Sequence, residues 1–152
     1  MAGFDLVSIH NTILAHIESE FPDFDVYEDY VLNEQELRRT DARIKPYIVV
    51  SWYGLNRLAN AASMSGVRQD QYESGFDIGV IAPTPSQCRK AINIIVDKLI
   101  GYSYDGVAYL TPGSSSSAFV VAQRDGVPHM YMAMAEFTFP VNYDDPGSYM
   151  TP

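Results

Sequence analysis

A single cysteine, Cys88, excludes an internal disulfide, so the fold has to be held by packing alone. Basic residues are also scarce. Ten Lys and Arg stand against nineteen Asp and Glu, and the net charge of −9 argues against a chain whose main task is to grip nucleic acid. Phosphate neutralisation by Lys and Arg supplies most of that affinity. No apolar run reaches the roughly 18 residues of a spanning helix, and mean hydropathy is −0.10. Catalytic signatures are missing too: there is no GxSxG, no GxGxxG behind a strand, and no GKS or GKT after Gly113. The opening MAGFDLVSIH lacks the basic n-region and long apolar stretch of a signal peptide, so a reducing cytoplasm is the expected place of synthesis.

What is present is apolar sheet. Hydrophobic residues make up 47% of the 152 and charged residues 19%, which excludes a disordered chain. A single domain of this size buries about 68–70% of its unfolded surface. Side chains alternate across a strand, so His129 to Val141 reads as apolar on both faces. Met130, Met132 and Met134 fall on one side, followed by Glu136 and Thr138; Tyr131, Ala133, Ala135, Phe137 and Phe139 fall on the other. Pro46 to Leu58 repeats the pattern, with Ile48, Val50 and Trp52 opposite Tyr47, Val49, Tyr53 and Leu55. The chain offers two convincing helices, which cover about one face of such a sheet. The remaining apolar surface is expected to meet another copy or a partner protein. Met130, Met132, Met134, Trp52 and Tyr53 are the candidate contact residues, with ordinary core packing the competing role for the methionines.

Along the chain, Phe4 to Glu20 carries Leu6, Ile9, Ile13 and Ile17 on one helical stripe, with Asp5 placed to cap it. Asp25 to Leu32 reads as a short strand. Asn33 with Glu36 is a weaker capping signature for a helical turn up to Arg39. ANAASMSGV, residues 59–67, reads as a mobile loop. Gln71 to Ala82 alternates, with Tyr72, Phe76, Ile78, Val80 and Ala82 on the buried side. TPSQ at Thr84 to Gln87 is a strong helix start, Gly101 a stop. Gly106 to Leu110 reads as a short strand, Thr111 to Ser117 as a flexible loop, and Ala118 to Arg124 as a hairpin partner of the last strand through Asp125-Gly126. Helices do not alternate with strands. The expectation is therefore one α+β domain over residues 1–142, a mainly antiparallel sheet flanked by two amphipathic helices, with an acidic flexible tail at 143–152.

Chemistry-bearing residues have plain explanations. Cys88 reads as a buried core thiol on an apolar stripe. His16 and Glu20 have metal-like i, i+4 spacing but only two ligands, and no metal or cofactor is expected. Arg38, Arg39, Arg43 and Lys45 cluster four of the ten basic residues within eight positions. Glu34, Glu36 and Asp41 interleave with them, so the segment reads either as a self-paired solvated face or as a docking site for an acidic partner or phosphate backbone.

The order of an N-terminal amphipathic helix, the strand PYIVVSWYGLNRL, a loop, the strand QYESGFDIGVIAP, a helix opening TPSQCRKAINIIVDKL and a closing hairpin resembles the tail terminator proteins of long-tailed bacteriophages over residues 4–142. The resemblance implies a virion protein of the tail, assembled in the host cytoplasm. It also implies a hexameric ring that caps the tail tube, ends its polymerisation and docks the neck or head-completion protein while DNA passes through non-specifically. No catalytic residue, cofactor or membrane partner comes with it. Another phage neck or minor tail component, and a small peptide- or ligand-binding module with a Tyr and Met groove, are the alternatives.

Overall fold

The computed structural model describes residues 6–29, 39–40, 43–57, 61–62, 68–69, 72–106, 108–116, 118–122 and 129–141. Among these residues the helices are α1 (Leu6–Glu20) and α2 (Pro85–Leu99). Thr84 caps α2 in extended conformation; its Oγ1 accepts the Gln87 N–H at 3.3 Å, and Pro85 opens the first turn, where no N–H is needed. At the other end the Ile100 N–H donates to the Val96 carbonyl, and Gly101 turns the chain away at φ +78°. Each helix buries one stripe: Ile13 and Ile17 from α1, and Cys88, Ile92, Ile95 and Leu99 from α2.

Between and after the helices run β1 (Asp25–Glu28), β2 (Arg39–Thr40), β3 (Arg43–Ile44), β4 (Tyr47–Trp52), β5 (Asn56–Arg57), β6 (Ala61–Ala62), β7 (Arg68–Gln69), β8 (Tyr72–Ala82), β9 (Thr111–Ser115), β10 (Phe119–Ala122) and β11 (Met130–Val141). The main sheet follows the order β1-β4-β8-β11-β10, with β5 also on β8 and β9 also on β11. Among the described residues only β1 and β4 pair in parallel, and every other ladder of this sheet is antiparallel. Two small ladders, β2 with β3 and β6 with β7, stand apart from it. The architecture is α+β. Asp29, at φ +51°, extends the parallel pairing: its N–H donates to the Val50 carbonyl at 2.8 Å and its carboxylate accepts the Trp52 N–H at 3.0 Å.

Alternation sorts the sheet into two faces. Phe76, Ile78, Val80 and Ala82 of β8, Ile48 and Val50 of β4, and Ala133, Ala135, Phe137, Phe139 and Val141 of β11 join the helix stripes in one core. On the far face Tyr47, Val49, Ile81 and Met130 form a second, smaller buried cluster, with Tyr27 and Met132 packed against it. The two-faced reading of the last strand therefore holds, but part of the expected surplus is already buried within one chain.

Several local expectations change. Thr111 to Ser115 is not a flexible loop: it pairs with β11 although all five side chains are exposed. Its stabilisation comes from backbone hydrogen bonding to an edge that β11 would otherwise leave open, a signal that side-chain composition does not carry. Of the expected Gly106 to Leu110 strand, the described residues hold an isolated bridge between Ser103 and Tyr109, and Val107 lies outside them. The Pro46 to Leu58 strand is broken at residues 53–55 between β4 and β5. Of the 59–67 loop, Ala61 and Ala62 pair with β7, and the other positions lie outside the described residues, as do Asp5, most of the Asn33 to Arg39 turn, and the 143–152 tail. Arg39 itself is in β2.

Two buried glycines of β8 separate by what faces them. A Cβ on Gly75 would run into the backbone carbonyl oxygen of Phe137, whereas a Cβ on Gly79 would meet the terminal methyl of Met132, which can swing away. Gly75→Ala should cost about 2–3 kcal/mol and Gly79→Ala less than about 1 kcal/mol in denaturant unfolding. Equal costs at the two positions would contradict this description of the β8 to β11 contact.

Candidate functional site: the far face of the sheet

Beyond the small far-face cluster the same face continues as a half-buried strip, comprising Met132, Met134, Glu136 and Thr138 of β11, Asp77 of β8, and Tyr53 just past β4. Register builds it. Met134 lies opposite Gly79, Glu136 opposite Asp77 and Thr138 opposite Gly75. Glycines let long side chains lie flat against the sheet: Met132 covers Gly79, the Tyr53 ring reaches to 3.1 Å of a Cβ position on Gly75, and the Glu136 carboxylate lies over Gly113 of β9.

Asp77 and Glu136 are like charges placed directly opposite each other, an arrangement that destabilises a ladder unless something intervenes. Tyr53 intervenes. Its hydroxyl hydrogen-bonds the Asp77 carboxylate and lies 3.3 Å from Glu136 Oε2. Burial, then the bond to Asp77, and then the two negative charges push its phenol well above the ordinary tyrosine value. Among the described residues the ion pairs are Lys45 with Asp25 at 3.8 Å and Lys98 with Glu20 at 3.7 Å, and neither touches the Asp77–Glu136 pair. Among the described residues the strip therefore presents flexible thioethers beside two carboxylates that no cation neutralises. Flexible thioethers beside carboxylates complement an apolar surface rimmed by cations.

The sequence candidates divide between the two faces. Met132, Met134 and Tyr53 lie on the strip. Met130 is 6% exposed and sits inside the small cluster. Trp52 belongs to the helix side, stacked on His10 at 4.1 Å and edge-on to Phe76 at 5.2 Å, so it does not share the methionine face. Of the basic four, Arg38 lies outside the described residues and Arg39 and Arg43 contribute backbone pairing in β2 and β3. Lys45 is engaged with Asp25. Asp77 and Glu136 were not singled out in the sequence; alternation put Asp77 on the solvent side, but only register reveals that it faces Glu136.

Other reactive side chains are absorbed by the helix-side packing. The buried Cys88 thiol donates to the Tyr131 carbonyl at 3.0 Å, and burial raises its pKa. His16 stacks on Tyr102 at 3.6 Å, and burial lowers its pKa against the opposing pull of Glu20. No group of three or more His, Cys, Asp or Glu among the described residues could hold a metal ion. Among them, no helix is long and apolar enough to cross a membrane.

No family model matches the chain, and no curated protein sequence does. Among solved structures, a chain described as "Virion of native gene transfer agent (GTA) particle" is similar at 13% identity and a TM-score of 0.44, over 91% of this chain and 96% of that one.

Because the folded state raises the Tyr53 pKa, the unfolded chain loses the phenolic proton first as pH rises, and stability present below about 10 is lost above it. Tyr53→Phe should flatten this alkaline loss in denaturant titrations run from pH 8 to 11. An unchanged alkaline slope in the variant would place the phenol outside the Asp77–Glu136 pair.

Proposed function

We propose that this chain is a structural subunit of a phage-type virion, a tail terminator that assembles as a ring of six on the end of the tail tube, stops its growth and offers a docking face to the neck. The carrying observation is the half-buried strip of Met132, Met134 and Tyr53 beside Asp77 and Glu136, a surface that one chain leaves partly uncovered. The element order, which resembles that family, supports the same reading. Its partners are its own copies, the tube protein and the neck protein, and it performs no reaction and needs no cofactor.

In this reading DNA passes through the ring without being held. A chain of net charge −9 repels phosphate, so a passage lined by carboxylates lets the genome move without sticking. The basic residues Arg38, Arg39, Arg43 and Lys45 then face outward or enter contacts between proteins.

Light scattering across a concentration series should show a closed oligomer, and a strictly monomeric mass at high concentration would overturn the ring. Met132→Glu should abolish association while cooperative melting is kept; loss of cooperative melting would instead make Met132 ordinary core. Duplex DNA should show no tight binding at physiological salt. Tight binding with a steep salt dependence would overturn the conduit.

A further inference from the structure

The far-face strip has a complement on the opposite side of the same molecule. The outward side of α2 exposes Arg89, Lys90, Asn93 and Ile94, with Ile94 54% exposed although it is a large aliphatic residue. Beside Lys90 and Ile94 opens an apolar cleft of about 300 Å³, walled by Phe21, Phe24, Pro46 and Ala91. No ion pair joins Arg89 or Lys90 to a carboxylate among the described residues, whereas Lys98 on the same helix is already held by Glu20 and lies over the Phe21 ring.

Resting on the assembly reading above, we propose that α2 of one copy covers the far-face strip of the next, with Lys90 and Arg89 meeting Asp77 and Glu136 and the cleft at Ile94 receiving Met134. Charge decides between the two ways of covering the strip with a second copy. Strip against strip, the symmetric arrangement, would bring two Asp77–Glu136 pairs together, which like charges oppose. Helix against strip pairs opposite charges, fits apolar to apolar, and gives each sheet helices on both faces. Such a contact uses different surfaces on the two partners, which is the kind that propagates from copy to copy and closes into a ring when the rotation allows. Flexible methionines suit a surface that repacks against a cleft.

The test uses two full-length variants, each with one surface damaged. Ile94→Glu spoils the helix side and leaves the strip intact; Met134→Glu spoils the strip and leaves the helix side intact. Sedimentation velocity should find each alone monomeric, and their equimolar mixture should form a one-to-one dimer through the single undamaged contact. A mixture that stays monomeric overturns the proposal. So does an Ile94→Glu variant that assembles as fully as the unmodified chain, in which case the ring survives and only this contact is lost. An unmodified chain that is itself monomeric overturns the assembly reading as well. Should Met134→Glu not fold, the charge swap takes its place: Lys90→Glu and Glu136→Lys should each weaken association at least tenfold and, combined in one chain, restore it. Failure of the double variant to recover would reject the Lys90–Glu136 pairing.

Discussion

The ladder between β8 and β11 is the element on which the rest depends. It runs unbroken from the pair Tyr131 with Ala82 to the pair Val141 with Tyr72, and it fixes which side chains of each strand share a face. Because the period of a strand is two, a slip of one residue would exchange the helix-side core for the far-face strip. The large residues hold the register. Phe76 and Phe137, paired across the ladder, are both fully buried with ring centroids 5.6 Å apart, and both helices close over the same side. Gly75 is part of the same constraint, since the close approach to the Phe137 carbonyl admits no side chain there.

The far face follows from what the helices leave. A buried minor cluster around Tyr47, Val49, Ile81 and Met130 takes up one part of it, so stability does not require a partner there. The other part is a compromise. Asp77 and Glu136 oppose each other at a cost that Tyr53 reduces by standing between them, and no cation among the described residues completes the neutralisation. Under the assembly proposed above, this pair is where a neighbour's cations would complete the neutralisation.

The edges of the sheet show a related economy. Small, exposed residues of β9, including Pro112 and Gly113, pair along part of β11 that β10 does not reach. A strand of this composition protects a neighbour's backbone without offering an apolar edge of its own, which discourages indiscriminate strand addition.

The sequence by itself determined the class and most of the frame: two amphipathic helices, the second with its start and stop signals, the long strands Tyr72–Ala82 and Met130–Val141, and the division of each strand into two rows. These are local signals, because capping chemistry and alternation act within a few residues. It also made the last strand apolar on both sides, and so pointed to assembly. Only the tertiary structure decided which rows are spent inside the chain. Trp52 went to the helix side with His10, Met130 to a closed minor cluster, and Thr111 to Ser115 to a strand whose side chains bury nothing. Pairing partners far apart in sequence set these outcomes, and neither composition nor period records a partner. The Tyr53, Asp77 and Glu136 constellation is the clearest case: three residues separated by as many as 83 positions meet because one antiparallel register brings them together, and the sequence gives no local reason for any one of them to stand out.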